Sequence, residues 1–148
     1  MSTRSCIARG TVDSFTGVYH HWDGYPSGLG AEIWKLFHKK YKGNEAKMLK
    51  ALIDDHPAGW SSLFKGACFC HGECNEGPNP ITEKNASACG GEYAYVFPGD
   101  GTMRILSSYY KDGAKMIGAF GFGEPTAVWK EIKKVKLANK REPKWESK

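Results

Sequence analysis

The chain has 148 residues, of which 41% are hydrophobic and 13% aromatic, enough for one domain with its own core and unlike a disordered chain. No apolar run approaches the roughly 20 residues of a membrane-spanning helix, and the first residues lack the apolar segment of a secretory signal. Residues 1–126 carry 13 basic and 13 acidic residues, so the formal net charge of +5 comes from residues 127–148. We therefore expect a cytoplasmic protein that binds neither membranes nor, with a neutral body, nucleic acid.

The first predicted elements form a β-hairpin. Residues Arg4–Val12 and Phe15–His21 are rich in β-branched and aromatic side chains, and Asp13-Ser14 between them is typical of a turn.

Two amphipathic helices are predicted to follow the hairpin. Ser27 can cap the first, and Asn44 can cap the second, which runs from Glu45 to about Asp55 and is stopped by Pro57. Apolar side chains recur at helical spacing in the first helix: Leu29, Ile33, Trp34, Phe37 and Tyr41.

The second half of the chain predicts a long loop, a second hairpin and a final helix. Residues 60–91 show no sustained periodicity of apolar residues, whereas the sequences of Glu92–Phe97 and Thr102–Tyr109 indicate strands. After Pro125, helical spacing favours a C-terminal helix, although Val135–Leu137 would also fit a strand. The prediction is a single α+β domain over residues 1–136, an antiparallel sheet with a helical pair after the first hairpin and a C-terminal helix, and a basic, flexible tail over 137–148.

The junction between the second strand and the first helix is the main candidate ligand site. A helix N-terminus receives anions, glycines allow close approach to the backbone, and indole and phenol rings can stack on a nucleobase. Strand alternation places the two histidines on opposite faces, so only one of them readily faces a given pocket. The candidate ligand-binding residues are His20, His21, Trp22, Asp23, Tyr25, Ser27, Gly28 and Gly30. The same residues also fit an alternative in which the aromatic rings are core and Asp23-Gly24 is only a tight turn.

Several blocks of this chain resemble a family of small uncharacterised proteins from actinobacteria and their phages. The string His-Trp-Asp-Gly-Tyr-Pro, residues 21–26, is the most specific of them. The blocks are Ser2–Ser5, Gly17–Pro26, Leu52–Trp60, Thr82–Ser87, Glu92–Phe97 and Leu106–Tyr109. The resemblance implies a phage or prophage setting, hence the cytoplasm of a host cell, where small domains often counter host defences. It brings no established activity.

A cysteine-rich segment suggests a bound metal ion. Thiolates and imidazole are good zinc ligands, and four candidates fall within seven residues: Cys68, Cys70, His71 and Cys74. The spacing differs from paired Cys-x2-Cys knuckles, and the alternative is that some of these cysteines pack as small apolar side chains. A structural zinc ion is therefore one hypothesis for this segment.

These patterns predict a ligand-binding protein that holds or sequesters a nucleotide-derived signalling molecule. The alternative is a hydrolase that acts on a phosphoester or glycosidic bond of a nucleotide, with His21 or His20 and Asp23 as an acid–base pair. A third hypothesis is a zinc-stabilised adaptor that binds protein or nucleic acid through the basic tail. The sequence leaves a homo-oligomer open.

Overall fold

The computed structural model describes residues 3–69, 77–86, 92–110 and 127–145. They form an α+β domain in which two helical segments pack on one sheet. Helical segment α1 is continuous over Pro26–Gly30, Ala31–Lys35 and Leu36–Lys40, and α2 over Glu45–Leu49 and Lys50–Asp54. The strands are β1 Ser5–Gly10, β2 Phe15–His20, β3 Trp60–Ser62, β4 Ala67–Cys68, β5 Ile81–Thr82, β6 Tyr93–Phe97, β7 Thr102–Tyr110 and β8 Ala127–Lys136.

The sheet is mostly antiparallel and has the order β4-β3-β2-β1-β6-β7-β8, with β5 paired to β2. Two pairs are parallel: β1 with β6, and β2 with β3. The parallel β1–β6 pair lies at the centre and joins an N-terminal hairpin to a C-terminal one. The prediction of an α+β domain is confirmed, but the sheet is mixed rather than purely antiparallel.

The N-terminal hairpin and the helical pair both occur as the sequence predicts. Strands β1 and β2 pair from Ser5–His20 to Gly10–Phe15. The side chain of Asn44 caps α2 by accepting a hydrogen bond from the backbone N–H of Lys47 at 3.0 Å.

The two helical segments cover one face of the sheet, which we call the helix face. Their apolar sides and the strands form one large core cluster, and a smaller cluster covers the opposite face. Residues of the helix face that lie opposite one another across the central strands include Val18, Ile7, Tyr95 and Ile105. No helix in the described ranges is both long and apolar enough to cross a membrane.

The predicted C-terminal helix is wrong, because residues 127–136 form strand β8, which pairs antiparallel with β7. The register shifts between Ile105 and Leu106, whose partners are Lys133 and Glu131, so Ile132 is the extra residue of a β-bulge. The extra residue breaks the two-residue alternation and places apolar side chains three apart, as in a helix.

Residues after β8, which the sequence assigns to the basic tail, pack against the domain. Leu137 is buried in the core, and its backbone N–H donates to the carbonyl of Gly101 at 3.0 Å. The ring of Trp145 packs edge-on against that of Trp34, with the ring centroids 6.2 Å apart.

Candidate functional site

A cavity of about 270 Å³ lies where β2 ends and α1 begins, at the junction that the sequence singles out. We call it the junction cavity. The candidate residues among its lining are His20, Trp22, Asp23, Tyr25, Ser27 and Gly28. The remaining lining residues are Leu29, Ala31, Glu32, Lys35, Ser62 and Phe64.

Backbone hydrogen bonds fix the turn between β2 and α1, and one residue of this turn has an unusual backbone conformation. Asp23 has a φ of 55°, in the left-handed region that aspartate tolerates better than most side chains. Its carbonyl accepts from Leu29 N–H at 2.9 Å, and Gly24 N–H donates to the carbonyl of Thr3 at 2.8 Å. The hydroxyl of Tyr95 donates to the carbonyl of Gly24. The backbone of the turn is therefore fixed to both the sheet and the helix.

His20 is a buried imidazole in the wall of this cavity, with only 2% of its surface exposed. Its Nε2 accepts a hydrogen bond from the backbone N–H of Leu63 at 3.0 Å. Burial, with a smaller contribution from the neighbouring His21, lowers the pKa of His20 from its ordinary value of 6.5 to about 4. At neutral pH the ring is therefore uncharged, and because Nε2 accepts, the ring proton is on Nδ1.

The Nδ1–H of His20 has no acceptor among the described residues, and neither has the buried hydroxyl of Ser5 a partner there. Ser5 is directly opposite His20 in the β1–β2 register, so both side chains lie on the helix face. The row continues across the sheet to Tyr93 and Ser107, which pair in register with Ser5 and with each other. This polar row lies at one end of the helix face, next to the apolar row of Val18, Ile7, Tyr95 and Ile105.

His21 lies on the opposite side of β2 and does not line the junction cavity. Its Nδ1 is hydrogen-bonded to the hydroxyl of Tyr19 at 2.7 Å, and its ring meets the edge of Trp22 with centroids 4.7 Å apart. The cavity thus brings Asp23 together with His20 rather than with His21. Gly30, the other candidate outside the lining, instead faces the rings of Trp145 and Tyr95.

Two exposed aromatic rings lie at the rim of the cavity. Trp22 is 46% exposed and Phe64 is 78% exposed. Across the residues that the structure describes, the only other large apolar side chain with comparable exposure is Ile132. Exposed apolar surface beside a concave site is typical of ligand binding, because a flat ligand can cover it.

The charged groups of the cavity are two carboxylates, Asp23 and Glu32, and one ammonium, Lys35. The start of α1 offers fewer free donors than the sequence suggests. Pro26 has no N–H, and the N–H groups of Gly28 and Leu29 donate to backbone carbonyls of the turn at 2.9–3.0 Å. Lys35 is therefore better placed than these amides to receive an anionic group.

Sequence reasoning missed half of the lining residues, for two different reasons. Glu32 and Lys35 follow Gly28 at helical spacing, so the period of α1 could have placed them on the same side as the candidate residues. Ser62 and Phe64 reach the cavity because β3 pairs in parallel with β2, where Trp60 is opposite His20. No local sequence pattern predicts the pairing of β2 with β3.

Of the four candidate zinc ligands, Cys68 in β4 is half-buried, whereas Cys70, His71 and Cys74 lie outside the described residues. Within the described part of the chain, no group of three or more histidine, cysteine or acidic side chains is placed to hold a metal ion. The zinc site remains a hypothesis from the sequence.

Comparisons of the chain with protein-family models, with curated proteins and with solved structures gave no match. The functional argument therefore depends on the site itself.

Proposed function

We propose that the protein binds a small nucleotide-derived molecule in the junction cavity. The observation that carries this proposal is a cavity whose wall includes the buried imidazole of His20, whose Nδ1–H has no acceptor among the described residues, and whose rim exposes two aromatic rings. A buried donor without an acceptor costs roughly 1–3 kcal/mol, and a ligand that supplies the acceptor recovers that free energy.

The surrounding groups match the parts of a nucleotide. The rings of Trp22 and Phe64 offer stacking surface for a base, which is worth roughly 1–3 kcal/mol per base. A carbonyl oxygen or ring nitrogen of the base would accept from His20 Nδ1–H. The carboxylates of Asp23 and Glu32 would accept from sugar hydroxyls or an exocyclic amine, and Lys35 would pair with a phosphate.

The geometry favours binding over hydrolysis by a histidine–aspartate pair. His20 has a pKa of about 4, and its Nε2 lone pair already accepts from Leu63 N–H, so it is poorly suited to proton transfer at neutral pH. His21 bonds to Tyr19 on the other side of the strand. The hydrolase alternative would therefore need a different acid–base group.

The resemblance to phage proteins suggests which nucleotide the protein would bind. We infer that the ligand is a signalling nucleotide of a host cell, which the protein would hold without altering. This step depends on analogy and is separable from the proposed binding site.

The first test is native mass spectrometry of the purified protein, followed by thermal-shift screening with nucleoside mono-, di- and triphosphates and cyclic dinucleotides. A bound mass of a few hundred daltons that is released unchanged on denaturation, or a stabilising nucleotide, is the expected result. If the released molecule is a cleavage product, the protein is an enzyme and the sequestration proposal fails.

Variants then locate the site with whichever nucleotide stabilises the protein. We expect Phe64→Ser and Trp22→Ala each to weaken binding about tenfold, since each removes one stacking surface. Ile132→Ser removes an apolar side chain that is about as exposed as Trp22 and does not line the cavity, so it is the matched control. Equal losses in the control and in the rim variants would exclude the junction cavity as the site, as would failure of every nucleotide to bind.

A further inference from the structure

A second cavity, of about 360 Å³, lies beside Trp34 of α1 at the outer edge of β8, where no further strand pairs with it among the described residues. We call it the basic cavity. Its lining contains four cationic side chains and no carboxylate. They are Lys133, Lys134 and Lys136 of β8 and Arg141 of the following segment. Trp34, Val135, Asn139 and Pro143 complete the lining.

The cations of this cavity lack the carboxylate partners that other basic residues of the domain have. Arg9 pairs with Asp54, Lys50 with Asp55, and Arg104 with both Asp100 and Glu131. Among the described residues, none of the four cavity cations forms a salt bridge. Their mutual repulsion is therefore uncompensated within this part of the chain.

The two acidic residues that the structure describes in this segment are engaged elsewhere. Glu131 pairs with Arg104 at 2.9 Å, and the carboxylate of Glu142 accepts from the indole N–H of Trp145 at 2.6 Å. Four of the seven basic residues in 127–145 therefore line one cavity, and neither acidic residue of that range does.

The backbone of the edge strand adds donors to the cations. Leu137 N–H points toward β7, where it donates to Gly101. Because N–H directions alternate along an antiparallel strand, the N–H groups of Lys134 and Lys136 point away from β7, toward the free edge. The side of Trp34 and Val135 is buried, so an anion here would be partly shielded from water.

We propose that the basic cavity binds a compact anion with several adjacent phosphate groups. Its volume lies at the low end of small-molecule pockets, roughly 300–1,000 Å³, whereas specific nucleic-acid interfaces bury roughly 600 Å² or more of protein surface. Four cationic residues border one small volume at the edge of the sheet, and this grouping matches a short phosphate chain better than an extended backbone. The chain can be an inorganic polyphosphate or the triphosphate of a nucleotide.

The experiment measures binding of inorganic tripolyphosphate to the full chain by isothermal titration calorimetry, at low and at physiological salt. We expect binding that weakens as salt rises, because screening acts on exposed charges. The double variant Lys133→Glu/Arg141→Glu, in which Lys133 lies on the same face of β8 as Val135, should lose at least roughly thirtyfold in affinity. The control Lys47→Glu/Lys84→Glu makes the same charge change at exposed sites outside the cavity and should lose less than about threefold.

Absence of tripolyphosphate binding, or an equal loss in the control, overturns the proposal. If the double variant fails to fold by circular dichroism, the single variants Lys133→Gln and Arg141→Gln replace it, each with an expected loss of at least about threefold.

Further probes distinguish the source of the phosphate groups. A nucleoside triphosphate that competes with tripolyphosphate supports the proposal, and stronger competition adds a contribution of the base. A single-stranded oligonucleotide whose affinity grows with length beyond that of tripolyphosphate would instead indicate an extended partner and would overturn it. Phe64→Ser should leave tripolyphosphate binding unchanged, so this test is independent of the junction cavity.

Discussion

The two cavities beside α1 differ in what they would recognise. The junction cavity combines a buried neutral imidazole, two carboxylates, one ammonium and exposed rings, whereas the basic cavity presents four cations. A buried donor selects a ligand atom by position and is little affected by salt, while exposed cations attract charge over a distance that salt shortens. One helix thus separates a site suited to shape and hydrogen bonding from a site suited to charge.

The largest predicted effect is a loss of folding stability in acid. It comes from His20 in the junction cavity and not from the basic cavity. The neutral form of His20 stabilises the fold fully above its ordinary pKa of 6.5, and this contribution is lost as the pH falls through about 4. Protonation should therefore lower the free energy of unfolding by about 3 kcal/mol over that range. The cations of the basic cavity stay charged throughout.

Urea denaturation between pH 7 and pH 4 measures this effect when wild type is compared with His20→Gln. Glutamine can still accept from Leu63 N–H but does not titrate, so the carboxylates common to both proteins cancel in the difference. Identical pH dependence of the two proteins would mean that His20 is not buried as a neutral ring.

A smaller loss is expected from Gly24→Ala. A Cβ at this position would lie closer than 3.0 Å to Ser5 Oγ and to the backbone carbonyl of Thr3, so the turn would have to move. We expect a cost of about 2 kcal/mol in thermal or urea denaturation, loss of nucleotide binding and retained tripolyphosphate binding. Gly77→Ala, at a described glycine with no heavy atom within 4 Å of its Cβ, is the neutral control. Equal loss of both ligands would show that the two cavities are not independent.

The smallest expected effect is that of Gly30→Ala, a position of α1 that faces the ring of Trp145. The added Cβ would lie 3.2 Å from Cε3 of Trp145, and the ring can yield by a few tenths of an ångström. The gain of up to about 1 kcal/mol in helix propensity offsets this contact, so the net change in stability should stay within about 0.5 kcal/mol. Tryptophan fluorescence should nevertheless shift, because Trp145 moves. A loss above about 2 kcal/mol would mean that Trp145 is held rigidly.

Local patterns predicted the elements whose signals lie within a few residues. The hairpin turn near Asp13-Ser14, the apolar side of α1 and the cap at Asn44 all depend on neighbouring positions, and the structure has each of them. The C-terminal helix failed because the bulge at Ile132 imitates helical spacing. The parallel pairs could not be predicted, since no short segment records which distant strand it will meet.

The residues of the candidate site also fall into two groups: those that local sequence patterns identify and those that depend on long-range pairing. Residues 20–28 could be singled out because glycines, aromatic rings and a carboxylate are adjacent in the sequence. Alternation along β2 also predicted that only one histidine would face a pocket, but not that it would be His20. Phe64 and Ser62 were missed because their position depends on long-range pairing. Lys133, Lys134 and Lys136 were assigned to a C-terminal helix because strand β8 was not recognised.

The central β1–β6 pair has a consequence for how the chain folds. Ser5 is opposite Tyr93, so β1 acquires its second neighbour only after most of the chain has been synthesised. Until then the edge of β1 that will pair with β6 has no neighbouring strand. The helical segments α1 and α2 can already pack on one face of the hairpin. Pairings so distant in sequence slow folding, because a long loop must close before their contacts form. We therefore expect the completion of the sheet by β6 and β7, rather than formation of the N-terminal hairpin, to limit the rate at which this protein reaches its native state.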